Sequence, residues 1–105
     1  MAARLPMARE CVFVDVDGTL IKWRRRRGRL ENTLNKGLAE SLAEWGAHAD
    51  LVLWSRRGRL YAQKMAERHK VAHLFVAIIG KPTAIIDDEG LSWMKGVRLN
   101  AAPVS

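Results

Sequence analysis

The chain has 105 residues, just under half of them apolar, and a formal net charge of +7. That length suits one domain over residues 1–105 with a single modest core, and the apolar content excludes an intrinsically disordered chain. No apolar run nears the ~20 residues that cross a bilayer, and no apolar stretch follows Arg4 and Arg9 as a secretory leader would require.

The first apolar run, Cys11-Val-Phe-Val-Asp15, is rich in β-branched residues and predicts a buried strand. Cys11, the lone cysteine, excludes an intramolecular disulfide and a cysteine-built zinc site. It is predicted to be a buried small hydrophobe, and a reducing cytoplasm fits it best. The strand stops at Asp17-Gly18-Thr19, a turn signal. Leu20 to Asn32 is polar and basic around Gly28, which fits either a small hairpin with arginines at its tip or an irregular loop. Leu34, Leu38, Leu42 and Trp45 recur at helical spacing, so a helix is predicted over Thr33–Trp45, capped by Asn32 or Thr33 and closed by Gly46.

Asp50-Leu-Val-Leu-Trp-Ser55 reads as a second buried strand. A second helix is predicted from Leu60 to His69, with Leu60, Met65 and Tyr61 on its inner side. Leu74–Ile79 is the third predicted strand and Thr83–Asp87 the fourth. The last fifteen residues, with Trp93 and Met94, suit a short helix or an extended tail. Trp54 and Trp93 are predicted to lie in the core and Trp23 to be exposed. Strands alternating with helices predict an α/β fold: a small open parallel sheet with flanking helices, without a second domain or internal repeat.

In such sheets ligands bind beyond the carboxyl ends of the strands. Asp15 and Asp17, Ser55, and Asp87 and Asp88 all fall at predicted strand ends. Taken singly, an Asp-Gly pair is commonly a turn, a serine a helix cap, and Asp-Asp-Glu-Gly a charged loop. Their joint placement is what points to a site. Four carboxylates on one edge repel one another, and a hard, oxygen-preferring cation such as Mg²⁺ is the usual remedy.

Val12-Phe-Val-Asp15-Val-Asp17-Gly18-Thr19-Leu20 resembles the first motif of the haloacid dehalogenase-like (HAD-like) hydrolase superfamily, two aspartates around one residue and then Gly-Thr. Leu51–Ser55 resembles its second motif, Gly80-Lys81-Pro82 its third, and Ile85-Ile-Asp87-Asp88 its fourth. The resemblance covers residues 11–95 and implies a Rossmann-like core and a Mg²⁺-dependent phosphatase. It implies Asp15 as the nucleophile that forms an aspartyl-phosphate, and Asp17 as general acid and then base. It further implies Ser55 and Lys81 as phosphate ligands. Asp15, Asp17 (through its carbonyl), Asp87 and Asp88 would be the metal ligands.

Lys81 lies six residues before Asp87. A straight strand over that interval spans ~20 Å and would put Lys81 at the opposite end from the acids. Either the chain bends there, or Arg56, Arg57 or Lys95 supplies the cation. The intervals between motifs leave no room for a cap domain. An uncapped site suits a macromolecular phosphorylated substrate, a nucleic-acid end among them, or a homo-oligomer in which a neighbour helps to cover the site.

Arg24, Arg25, Arg26, Arg27 and Arg29 follow the nucleophile strand and suit recruitment of a polyanionic substrate, or simply a solvated loop. The alternative reading from a different class is a basic module that binds nucleic acid or a protein on the same fold with little or no catalysis.

Overall fold

The computed structural model describes residues 9–94. The chain runs β1 (Glu10–Asp15), β2 (Ile21–Arg26), β3 (Arg29–Leu34), α1 (Lys36–Trp45), β4 (Ala49–Ser55), α2 (Arg59–Arg68), a 3₁₀ turn (Ala72–Leu74) and β5 (Ala77–Gly80). β1, β4 and β5 form a parallel sheet in the order β1-β4-β5, and β2 and β3 form a separate antiparallel hairpin. The result is a small α/β domain with two flanking helices, consistent with a Rossmann-like arrangement. Among the described residues no helix is long and apolar enough to cross a membrane.

Alternation along the central strands builds the core. Val14, Leu51 and Leu53 point to one face, where Leu38 and Leu42 of α1 and Met65 of α2 meet them in one buried cluster. Period-2 alternation then sends Cys11, Phe13 and Trp54 to the other face. There Phe13 and Trp54 lie with ring centroids 4.5 Å apart. Neither described helix covers that side, so Cys11 is exposed, contrary to its predicted burial. Trp54 is only half-buried for the same reason, and Trp93 is 54% exposed, so neither is a core residue.

α1 begins later than its apolar period suggests, because Thr33 belongs to β3. The cap is Asn35 rather than Asn32 or Thr33. Its side-chain oxygen accepts the Leu38 N–H at 3.2 Å, and its amide nitrogen donates to the Thr19 carbonyl at 3.3 Å. Fully buried Asn35 thus starts the helix and ties it to the turn after β1. In α2, Met65 is buried and Tyr61 half-buried as predicted, but Leu60 is 72% exposed.

The predicted third strand is shorter and later than its apolar run, because Ala72–Leu74 form the 3₁₀ turn. The predicted fourth strand, Thr83–Asp87, is absent: residues 81–87 have no regular structure, and Ile85 and Ile86 are exposed. The connection explains why. A parallel neighbour needs a crossover of a dozen or more residues to return to the start of the sheet, and only Lys81 and Pro82 separate β5 from this segment. The terminal helix or tail falls on residues 95–105, outside those described, apart from its first residues.

Candidate active site

Parallel register brings three strand ends to one edge. Asp15 stands beside Trp54, and Ser55 beside Gly80, so Asp15, Ser55 and Lys81 leave the sheet together. Beyond β1 the alternation continues through a tight turn. Val16 and Leu20 are fully buried, anchoring the turn, and Asp17 emerges on the side of Asp15. The Leu20 and Ile21 N–H groups reach back to the Asp15 and Val16 carbonyls at 3.2 and 2.9 Å, while Gly18 takes φ +82°, a conformation that glycine adopts without strain. The turn therefore holds two carboxylates close together.

A pocket of about 290 Å³ opens at this edge, lined by Asp15, Asp17, Ser55, Arg56, Arg57 and Lys81. The Lys81 Nζ lies 3.6 Å from Asp15 Oδ1. The difficulty over its distance from the acids disappears, because β5 ends at Gly80 and Lys81 is the next residue at the carboxyl edge. Its backbone N–H donates to the Ser55 carbonyl at 2.8 Å, fixing the two residues to each other. The Ser55 Oγ accepts the Arg57 N–H at 3.0 Å, which leaves the hydroxyl proton free to donate into the pocket.

Asp17 is the most tightly held of these groups. Its Oδ1 accepts the Tyr61 hydroxyl at 2.6 Å and the Trp23 indole N–H at 2.9 Å. Its Oδ2 faces Arg57 at 3.9 Å, and the Arg57 guanidinium itself stacks 3.9 Å above the Tyr61 ring. Neither Trp23 nor Tyr61 is recognisable as a site residue from sequence. Trp23 sits in an arginine-rich strand, and Tyr61 reads as the inner face of a helix.

Burial first, and then the hydrogen bond and charge of Asp17, push the Tyr61 hydroxyl up from its ordinary 10.0 to about 12. A raised value in the folded state favours the neutral phenol. The stability it confers is therefore complete below pH 10 and is lost as pH rises from 10 toward 12. Tyr61 is the chain's one tyrosine, so phenolate absorbance reads this contact directly. The wild type is expected to titrate near pH 12, and Asp17→Asn to move the midpoint part-way back toward 10, the part due to burial remaining.

The other predicted acids are not brought here. Asp87 and Asp88 are exposed and do not line the pocket, and among the described residues no group of three or more His, Cys, Asp or Glu side chains is arranged to hold a metal ion. Of the four predicted acids only Asp15 and Asp17 share this edge, because the segment bearing Asp87 and Asp88 does not join the sheet. Arg56 and Arg57 line the pocket beside Lys81 rather than replacing it, and Lys95 lies outside the described residues. Arg24, Arg25, Arg26, Arg27 and Arg29 are all exposed on the β2–β3 hairpin. No protein-family model and no curated protein matches the chain. The functional reading therefore rests on the chain's own residues.

Proposed function

We propose that the chain is a Mg²⁺-dependent phosphomonoester hydrolase of the HAD-like type, in its minimal capless form, working through an aspartyl-phosphate on Asp15. The observation that carries this reading is the convergence of Asp15, Asp17, Ser55 and Lys81 on one pocket at the carboxyl edge of the parallel strands. Of these, Ser55 and Lys81 lie far from the aspartates in sequence, and the pocket edge is where α/β sheets bind ligands.

The chemistry follows from the arrangement. The Asp15 carboxylate attacks phosphorus, the ester P–O bond breaks, and Asp17 gives a proton to the departing oxygen. Water then attacks the aspartyl-phosphate while Asp17 takes back a proton, releasing inorganic phosphate and restoring Asp15. Tyr61 and Trp23 occupy Oδ1 of Asp17, so its Oδ2 is the oxygen left to carry the proton. Ser55 and Lys81 hold the phosphoryl oxygens, with Arg56 and Arg57 adding positive charge at the mouth.

Asp15 through its carboxylate and Asp17 through its backbone carbonyl are the residues that would hold Mg²⁺. That ion is commonly bound by one or two carboxylates together with substrate phosphate and water, which matches the donors in this pocket. When bound, it neutralises charge that otherwise opposes the approach of a carboxylate to a phosphate. Asp87 and Asp88 are given no part in this arrangement.

The test is phosphate release from an aryl phosphate with Mg²⁺ and with a chelator, combined with acid quenching and mass analysis of the protein. Turnover is expected only with the metal, and the quenched protein is expected to carry a phosphoryl group on Asp15. Metal-independent turnover, or a phosphoryl group on another residue, would overturn the mechanism.

A further inference from the structure

We propose that the β2–β3 hairpin is a docking arm for the backbone of a nucleic-acid strand, whose terminal phosphate enters the pocket. Delivery to the pocket rests on the phosphatase reading; the binding surface does not. Arg24, Arg25, Arg26, Arg27 and Arg29 are exposed, and none of them is in an ion pair with a described residue, although Glu31 stands directly across from Arg24. Arg26 is paired across the strands with Arg29, a like-charge juxtaposition that works against the hairpin unless an anion lies over it.

The turn carries the same message. Arg27 and Gly28 connect the strands with φ of +52° and +75°, both positive, as in the type I′ turns that match strand twist. Gly28 suits such a turn. Arg27 does not, since a Cβ is strained there and asparagine, aspartate or glycine is preferred. The local fold thus gives no reason for an arginine at the tip, whereas a polyanionic partner does.

The arm is fixed to the site. Trp23 bonds to Asp17, the Lys22 Nζ donates to the Gly18 carbonyl at 2.8 Å, and the Asn32 side chain meets His69 at 2.7 Å. From Trp23, bonded to Asp17 of the pocket wall, to Arg27 at the tip, four extended residues reach ~13 Å. A single phosphomonoester in the pocket cannot touch charges spread over that length, but a chain with one anion per nucleotide can. Trp23 remains 39% exposed at the base of the arm, where an aromatic surface suits a stacked base. That favours nucleic acid over a phosphoprotein.

The test uses the full chain and a fluorescent single-stranded DNA of about a dozen nucleotides with a terminal phosphate, titrated with salt. Each phosphate contact in a single strand contributes ~0.7 to the slope of log K against log salt. Replacing Arg26, Arg27 and Arg29 by Gln is expected to cut that slope by about 2 and to lower affinity at least tenfold. Its kcat/KM should fall on the phosphorylated strand but hold within twofold on an aryl phosphate.

Arg27→Asn guards against simple damage: it is expected to raise the thermal midpoint while weakening DNA binding. An unchanged salt slope in the triple variant, equal losses on both substrates, or equal binding of an acidic phosphopeptide would overturn the proposal. Salt-sensitive binding by a wild type that hydrolyses no phosphoester would support the surface and overturn the phosphatase reading instead.

Discussion

Asp15→Asn is expected to abolish turnover of an aryl phosphate, whereas Asp17→Asn is expected to release one equivalent of aryl alcohol rapidly and then stall. The two variants separate because, on the proposed mechanism, the residues act on different bonds. Asn at position 15 keeps the size of the side chain but has no carboxylate to attack phosphorus, so no product forms. Asn at position 17 leaves the nucleophile intact. An aryl alcohol departs without a proton, so the first step survives, but the aspartyl-phosphate then waits for a base that is gone.

With an alkyl phosphate, whose leaving oxygen needs protonation, Asp17→Asn should also slow the first step, and general acid–base catalysis of this kind is worth about 10²–10⁴-fold. Rapid-quench measurement of the burst checks both outcomes. A variant at Asp17 with no burst and no loss specific to alkyl substrates would remove Asp17 from the acid–base role.

The proposed role of Asp17 would depend on the two groups which grip it. With Oδ1 accepting hydrogen bonds from Tyr61 and Trp23, the carboxylate cannot rotate freely, and a proton donor held in one orientation is already poised for the bond it must protonate. Trp23 comes from the arginine hairpin and Tyr61 from the first turn of α2, so the acid is set by two elements outside the strand that carries it. The same indole links Asp17 to the arm proposed to bind nucleic acid. On the two proposals, substrate binding on the hairpin and proton transfer in the pocket would share one residue.

How much of this was legible in the sequence follows from which forces are local. β4 is legible in position and in burial because a buried parallel strand is a continuous apolar run. β1 is legible in position but not in burial, because it is an edge strand with only Val14 buried. The basic stretch around Gly28 fits a hairpin and an irregular loop equally well. The first pair of aspartates was readable because a strand followed by Asp-Gly fixes where the chain must turn.

The uncovered sheet face was not readable. Alternation within β1 says that Cys11 and Phe13 share a side, but only the placement of both helices decides which side is covered. The run Thr83–Asp87 misled for a related reason. Its composition suits a strand, while its short connection from β5 rules out a parallel place beside the others, and that is a topological constraint rather than a local one. Trp23 and Tyr61 were invisible as site residues because their roles exist only through contacts with Asp17, six and forty-four residues away in sequence.

Lys81 offers the sharpest test of the corrected strand end. Lys81→Met keeps the apolar stem, which runs beside Trp54 with the ammonium 5.5 Å from the ring centre, and removes only the charge. If Lys81 holds a phosphoryl oxygen as charge moves from the leaving group, kcat/KM for an aryl phosphate should fall by about 10²–10³-fold, the usual effect of losing one such stabilising group.

Lys81→Arg should recover little of this, since a planar guanidinium is broader and cannot place a point charge against Asp15 beside the indole. Stability should move much less. Lys81 and Asp15 are both about a third exposed, and partly solvated ion pairs contribute ~1 kcal/mol or less. A large kinetic loss with an almost unchanged denaturation midpoint is therefore the signature of a phosphate ligand. A loss of only a few-fold would transfer that role to Arg56 and Arg57, which already line the same pocket from the turn after β4.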